Sequence, residues 1–375
     1  MTTPLSKHLH ALINATGPIS VHRYMSEALM HPDHGYYRKR DPLGAKGDFI
    51  TAPEISQIFG ELLGLWLADR WEAMGRPDPV RLVELGPGRG TLMADAVRAM
   101  AVVPGLAQAL DIHLVESNEA LRKAQGKKVK AQWHDRFADV LEGPTLLVAN
   151  EFFDALPIYQ FVRTASGWAE RHVTSDGKGF DWCLGPASAQ AALIPETLQT
   201  VEEGALVELC PAALSITDEI AKRINSHGGA ALIIDYGYDQ SAAGETLQAI
   251  RRHQRVDVFH KPGESDLTAH VNFDHLSQVA QQAGAQVEGP VTQGDFLRDL
   301  GIEIRAALLC RRATEKQACD IKAAVRRLTA PDMMGTLFKA MAIQPGDGPT
   351  VEAEAEAETS GAEPVQADAS ESPDV

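Results

Sequence analysis

The chain has 375 residues, 44% of them hydrophobic and 23% charged, the make-up of a globular protein with two or three structural units. No apolar run reaches the roughly 18 residues of a membrane helix, which excludes a helical span. The formal net charge is −16, yet nine Asp or Glu and no Lys or Arg lie from Gln344 onward, leaving −7 for the rest. Bulk attraction to nucleic acid or to an anionic membrane is therefore not expected. Cys183, Cys210, Cys310 and Cys319 stand singly, without a CxxC pair or a Cys/His cluster. That pattern predicts reduced thiols, no zinc site and a cytoplasmic setting. The opening residues, MTTPLSKHLHALI, lack both a signal-peptide pattern and the repeated arginines of a transit peptide, and predict a helix.

Residues 1–75 read as mostly helical. Leu5, Leu9, Leu12 and Ile13 recur at helical spacing, as do Ile58, Leu62, Leu63, Leu65 and Trp66. Between them, His31 to Ser56 is too dense in Gly, Pro and aromatics for a single helix, and is a candidate lid. From Val80 short apolar runs alternate with helix-length segments: 80–86, 111–117, 128–133, 145–151 and 230–237. Five buried strands so separated predict an α/β fold, a parallel Rossmann-like sheet with helices on both faces. The interval 156–225 breaks this alternation with IYQFVRT, WAERHV and FDWCL, three short strands, and then a helix near 211–227. It reads as an α+β insertion in a core spanning 76–343. A strand at GAQVEGPV and helices to about Met341 follow, and 344–375 has the composition of a disordered acidic tail.

The most informative segment is VRLVELGPGRGTLM. A strand ends at Glu84, Gly86, Gly88 and Gly90 follow at alternate positions, and a helix begins at Thr91. Glycines let the backbone turn sharply and approach a ligand without a Cβ, and the helix start offers free N–H groups. At the carboxyl end of a central strand such a turn forms the cofactor crevice of a doubly wound fold. A dinucleotide fingerprint needs G-x-G-x-x-G, and the third glycine here comes one residue early. The E-x-G-x-G-x-G form instead resembles motif I of S-adenosylmethionine-dependent methyltransferases. Their cofactor carries an ammonium and a sulfonium but no pyrophosphate, so the acidic Glu84 is welcome beside it. The next strand ends in Glu116, placed to accept both hydroxyls of an adenosine ribose. The third ends at Trp133-His134-Asp135, where Trp133 faces adenine or packs in the core, and Asp135 accepts from the exocyclic amine.

After the fourth strand, LLVANEFFDALP puts Asn150 and Glu151 at its carboxyl end and Asp154 three residues on. Polar groups leaving a buried strand on the cofactor side read as site residues. A carboxylate pair suits arginine, whose five donors form a fixed fork and whose proton is not readily lost. The alternative for Asp154 is the cap of a helix from about Ala155. GDFITAPEISQIFGELLG carries Asp48, Thr51, Glu54 and Ser56 ahead of an apolar helix, where simple helix-start signals compete with a site role. RRHQRVDVFHKPGESDLTAHVNF supplies a basic loop and then Asp266, Thr268 and His270. The spacing of His260 and His270 does not suit a metal. Thr51 and Asn150 join the candidate cofactor contacts, and His270 joins Glu151 and Asp154 as a candidate catalytic group.

Together GDFITAPEISQIFGELLGLW, VELGPGRGTLM, ANEFFDALP, IIDYG, KPGESDLTAHVNF and GPVTQGDFL resemble the MidA family of class I methyltransferases, over residues 18–310. The family's mitochondrial members assist assembly of respiratory complex I. The resemblance implies S-adenosyl-L-methionine as cofactor and symmetric dimethylation of an arginine in the large complex I subunit beside the quinone site. It also implies that Gly86, Gly88 and Gly90 line the cofactor, Glu116 holds its ribose, and Glu151 with Asp154 faces the arginine. The chain looks like a bacterial member, with a protein substrate, no nucleic-acid partner and no membrane insertion; a homodimer is left open. The alternatives are another protein or small-molecule methyltransferase, a non-catalytic assembly chaperone and an NAD oxidoreductase.

Overall fold

In a computed structural model that describes residues 3–39 and 50–346, the central sheet has eight strands: the two-residue Val271–Asn272, which pairs in parallel with the end of Gly229–Tyr238, and seven in one continuous order. In chain order the seven are β1 (Val80–Leu85), β2 (Leu110–Val115), β3 (Gln132–His134), β4 (Thr145–Asn150), β5 (Gly229–Tyr238), β6 (Gln286–Thr292) and β7 (Phe338–Gln344). Their spatial order is β6-β7-β5-β4-β1-β2-β3. The pairs β5–β4, β4–β1, β1–β2 and β2–β3 are parallel, whereas β7 runs antiparallel between β5 and β6. The strand order reverses between β1 and β4, so the crevice beyond their carboxyl ends is the topological switch point of the sheet.

Alternation along each strand explains the two covering layers. Val80, Leu82, Leu146, Val148, Leu232 and Ile234 face one side, beneath α1 (Gln57–Ala73) and α2 (Thr91–Met100). Val83, Leu85, Leu147, Ala149, Ala231 and Ile233 face the other, beneath α3 (Pro211–His227) and α4 (Phe273–Gln282). Successive side chains of a strand point to opposite faces, so strands buried on both faces must read as unbroken apolar runs.

Outside this sheet, Tyr159–Thr164, Gly167–Ser175, Phe180–Pro186 and Leu206–Leu209 form an antiparallel sheet. Ile19–Ser20 from the N-terminal region adds to its edge. The helices Pro4–Thr16 and Val21–Met30 pack Leu5, Leu9, Tyr24, Met25 and Leu29 with Ile158, Val173, Ala249 and Leu267, in a third apolar cluster.

Several sequence expectations need amendment. The expected insertion, 156–225, includes α3, a helix that packs on the central sheet, and the expected helical region, 1–75, includes α1, which does the same. The strand expected at 128–133 is only Gln132–His134. Residues 338–344, expected within a run of helices to Met341, form β7. Ala, Lys, Met and Gln favour helix locally, but burial at the sheet centre overrides that preference. The 251–273 segment, read as a loop, contains a hairpin of Gln248–Arg251 with Gln254–Val256 and a third strand, Asp266–Thr268. Among the described residues no helix is long and apolar enough to cross a membrane.

Close helix packing underlies the first layer. A Cβ built on Gly64 of α1 would lie 2.6 Å from the carbonyl oxygen and 2.7 Å from the Cα of Ala96 on α2. Backbone atoms cannot rotate away, so the helices must part. Gly64→Ala is expected to lower unfolding free energy by about 1–2 kcal/mol in urea denaturation, because overpacking costs more than the gain of about 1 kcal/mol in helix propensity.

Candidate active site

Where β1 ends, the backbone is left-handed at Gly86, Gly88 and Gly90, with φ of 62°, 51° and 72°. A Cβ on Gly86 would sit 2.7 Å from the Phe152 ring, so the turn must be bare to pass the loop that follows β4. The turn opens onto a cavity of about 650 Å³, within the usual range for a small-molecule site. Glu84, Gly86, Gly88, Thr91, Glu116, Asp135, Asn150, Glu151, Asp154 and Thr51 all line it. Ten of the twelve candidates named from the sequence are thereby brought to one cavity, and Gly90 stands behind it at the start of α2.

His270 is the exception. Its ring packs edge-on against Tyr236, 5.5 Å between centroids, and it borders a separate small hollow with His275 and Tyr238. The backbone after Asp266–Thr268 turns it to the far side of the Tyr236 ring, so the structure does not bring it to the reacting end. Asp48 lies outside the described residues. Trp133 is also turned away from the cavity: its Nε1 donates to Gln125 Oε1 (2.8 Å), and Phe137 and Ala138 line the wall near Asp135 instead. Asp135 accepts from Arg122 Nη2 at 2.7 Å on an exposed rim.

One residue the sequence reading missed ties the glycine turn to Glu116. Gln125, fully buried, donates from Nε2 to Gly88 O (2.7 Å) and to Glu116 Oε2 (3.4 Å) while it accepts from Trp133. A glutamine ending an amphipathic helix carries no motif, so nothing local marks it. Glu116 Oε1 also accepts the Asn118 N–H at 2.8 Å, and burial raises the Glu116 pKa. Burial pushes Glu84 up to about 8; the Met93 N–H bonds it, and its Oε2 is buried without a partner.

The other end of the cavity is acidic. Glu151 has a left-handed backbone, φ 50°, and its Oε1 accepts from the Ala52 N–H (2.8 Å) and from Asn150 Nδ2 (3.2 Å). Burial, reinforced by Asp154, pushes its pKa up to about 7. Asp154 Oδ2 accepts from the Tyr236 hydroxyl at 2.6 Å, and burial raises this carboxyl to about 6. No helix begins at Ala155, so Asp154 is not a helix cap. Asp235, at the end of β5, accepts the N–H groups of Phe152 (3.1 Å), Phe153 (2.9 Å) and Asp154 (3.2 Å) on Oδ2 and that of Tyr236 (2.9 Å) on Oδ1. Burial and the charges of Asp154 and Glu151 raise its pKa, against the pull of those N–H donors. Tyr37, from the helix Tyr36–Lys39, donates to Asp266 at 3.0 Å.

The N-terminal segment closes over this cavity. Besides the Glu151–Ala52 bond, Glu54 accepts from the Thr91 hydroxyl and lies 3.8 Å from Arg89, while Arg38 donates to Ser117 O at 3.1 Å. Among the described residues, His8, Glu27 and His31 could offer ligand atoms within 4.8 Å of one another, away from the cavity. His31 Nδ1 accepts the N–H of Asp33 and of His34, which puts the ring proton of neutral His31 on Nε2 and removes that lone pair.

The donor set fits S-adenosylmethionine. Glu84 Oε2 and Asn150 Oδ1 are buried acceptors without partners beside a bare glycine turn, as a cationic amino-acid group requires, and Glu116 offers its carboxylate one strand over. Residues 62–291 match the family described as "Putative S-adenosyl-L-methionine-dependent methyltransferase". A relative from Mus musculus, "Protein arginine methyltransferase NDUFAF7, mitochondrial", is 40% identical, covering 92% of this chain and 85% of its own length. Its Homo sapiens counterpart is 38% identical over 92% of this chain and 84% of its own. A crystal structure of a COG1565 superfamily member from Burkholderia thailandensis, bound to S-adenosyl-homocysteine, superposes with a TM-score of 0.77 at 28% identity, covering 94% of both chains. The chain belongs to the MidA family of S-adenosylmethionine-dependent methyltransferases.

In this MidA-family enzyme the loop after β4 depends on Asp235. Replacing it with Asn swaps one accepting oxygen for an NH2 and leaves at least one buried N–H facing a donor. Unfilled buried donors cost about 1–3 kcal/mol each. Asp235→Asn is expected to lower unfolding free energy by about that amount in urea and to weaken S-adenosylhomocysteine binding in calorimetry; unchanged values for both would show that the loop is held some other way.

Proposed function

We propose that this methyltransferase modifies arginine in a protein, adding methyl groups symmetrically. The observation that carries the reading is the pair of buried carboxylates, Glu151 and Asp154, at the end of the cavity away from Glu116. A guanidinium stays charged at any physiological pH and presents its donors in one plane, so paired carboxylates both grip and orient it. The names of the NDUFAF7 relatives support the same acceptor. In our reading the substrate is the large complex I subunit beside the quinone site, and the bacterial cytoplasm, a reducing compartment suited to four free cysteines, is where the enzyme works.

Gly86, Gly88, Gly90 and Thr91 shape the cradle, Glu116 and Asp135 take the nucleoside, and Glu84, Asn150 and Thr51 take the amino-acid part. When bound, S-adenosylmethionine supplies the methyl: the acceptor nitrogen forms the N–C bond, the S–C electron pair stays on sulfur, and one proton leaves the guanidinium. Glu151 and Asp154 contribute by position and charge. They localise the guanidinium charge away from the attacking nitrogen, hold it in line, and offer an ionised oxygen to the departing proton. His270 takes no part, because Tyr236 stands between it and the cavity.

The sign of the pH dependence follows. Both carboxylates must be ionised to hold a cation, and their apparent values belong to the pair. Values near 7 and 6 in the free protein predict that kcat/KM falls as pH drops through that window and is level above it. Glu151→Gln keeps an oxygen for the Ala52 N–H but removes the charge. It is expected to abolish transfer of tritiated methyl to protein in a matched lysate while S-adenosylhomocysteine still binds. Unchanged incorporation overturns the assignment of Glu151, and label found by mass spectrometry on residues other than arginine overturns the acceptor.

A further inference from the structure

Resting on the reading that Glu116 takes the cofactor ribose, we infer that Gln125 is a positioning residue for that recognition. It fixes the Glu116 carboxylate and the glycine turn against one another, so the sugar hydroxyls meet two oxygens already in place. Gln125 is fully buried, and a buried amide needs a partner for each polar atom. The indole N–H of Trp133 can only donate and the carbonyl of Gly88 can only accept, which decides the orientation of the amide. Oε1 therefore faces Trp133 Nε1 at 2.8 Å, and Nε2 faces Gly88 O at 2.7 Å. The other Nε2 hydrogen has Glu116 Oε2 as its acceptor at 3.4 Å, the longest of the three bonds.

The helix that carries Gln125 brackets Glu116. It runs over Glu119–Gln125, just after β2. Ahead of it the Asn118 N–H holds Glu116 Oε1 at 2.8 Å, and at its last residue the Gln125 amide holds Oε2. Asn118 Oδ1 accepts the N–H groups of Ala120 (2.8 Å) and Leu121 (3.3 Å), which fixes the helix start. The Gln125 carbonyl accepts those of Lys128 (2.8 Å) and Val129 (3.0 Å), which fixes its end. Donors from both ends of one element thus set the plane of a carboxylate that lines the cavity. The last torsion of a glutamate is broad, so a carboxylate held at one oxygen alone swings. Two hydroxyls on adjacent ring carbons require both oxygens in one plane, and ordering them in advance removes that cost from binding.

The same side chain sets the distance from Glu116 to the turn. A Cβ built on Gly90 would lie 3.2 Å from Gln125 Cγ and 3.3 Å from its Cα, so the glutamine stem lies along the bare third glycine. Gln125 thereby touches the turn twice, by packing at Gly90 and by its hydrogen bond to Gly88. A methionine would fill the same space without donating. What the amide adds is a single rigid group shared between the cradle and the carboxylate, and a buried network of this kind holds its geometry only while every member is satisfied.

The plain competing role for Gln125 is a buried prop for the turn, which would weaken every ligand alike. The probes are S-adenosylhomocysteine and its 2′,3′-dideoxy analogue, titrated calorimetrically into the full chain. The wild-type protein is expected to prefer the intact ribose about a hundredfold, the worth of two hydrogen bonds to a charged group. Gln125→Met keeps the stem along Gly90 but removes both donors, and is expected to cut that preference about tenfold. Gln125→Glu, of the same shape, stands in where Gln125→Met does not fold. It keeps an acceptor for Trp133 but carries at most one hydrogen, so it cannot serve Gly88 and Glu116 together, and the preference is expected to fall likewise. In a Glu116→Gln background, Gln125→Met is expected to leave the remaining preference unchanged. If the Gln125 variants weaken both ligands in equal proportion, the preference survives, Gln125 is only a prop and the proposal falls. If the wild-type protein itself shows no preference, the ribose reading of Glu116 fails and takes the proposal with it.

Discussion

A single carboxylate sets the geometry on which the site depends. Asp235, at the carboxyl end of β5, collects three consecutive N–H groups from the loop that leaves β4 and a fourth from its own neighbour. Residues 152–154 have no strand or helix to satisfy those donors, and buried donors must be satisfied. The loop is held as a tight crossing of the sheet end, with Glu151 in a left-handed backbone that a β-strand would never give it. That posture turns Glu151 to the N-terminal segment and Asp154 to Tyr236. The glycine turn after β1 is the complementary half: the Phe152 ring fills the place that a side chain on Gly86 would occupy. Strands β1 and β4 are neighbours, so the cofactor cradle and the acidic loop are two sides of one crevice.

The electrostatics of that crevice are expensive in the free protein. Glu84, Glu116, Glu151, Asp154 and Asp235 are all pushed toward the neutral form, chiefly by burial. Groups with raised folded-state values oppose folding increasingly as pH rises through them, so they persist against a stability penalty. Such clusters mark functional sites when a specific ligand relieves them. In the reaction proposed above both substrates are cations, and each would relieve a different part of the cluster: the ammonium near Glu84 and Asn150, the guanidinium near Glu151 and Asp154. Ligand binding and carboxylate ionisation are thereby linked.

Much of this was legible in the sequence wherever one residue's chemistry and its place in a strand coincided. Four strands read from apolar runs, the glycine turn, Glu116, and Asn150 with Glu151 and Asp154 all depend on local pattern, and the fold keeps that pattern. Failures arose where tertiary context decides. β7 carries helix formers and becomes a strand because the gap between β5 and β6 demands one. Trp133, for which the sequence left stacking on adenine or core packing open, packs against the core, where Gln125 offers its indole N–H a buried acceptor. Tyr37, Gln125 and Asp235 reach the site from elements far apart in the chain, and no spacing rule connects them. His270 shared a motif with Asp266, yet Asp266 lines the cavity while His270 packs against Tyr236 and borders a separate hollow.

The N-terminal region makes the site of this enzyme more than a methyltransferase sheet with a cofactor. Its contributions are tied to the core through the site's own residues: Ala52 to Glu151, Glu54 to Thr91, Tyr37 to Asp266, and the Tyr37 carbonyl to Asn118. The same region packs Leu5, Leu9, Tyr24 and Leu29 on the inserted strands, not on the central sheet. Insertion and N-terminal helices therefore pack as one apolar cluster, on whose side Tyr37 and Asp266 line the cavity, while Glu151 and Asp154 line it from the end of the sheet. The acidic end is a seam between two packed bodies. In the proposed reaction a cationic acceptor placed there would contact both sides of the seam. Desolvation of the acceptor nitrogen would then coincide with its alignment, so that catalysis would lie in positioning and would need no covalent participation by any side chain.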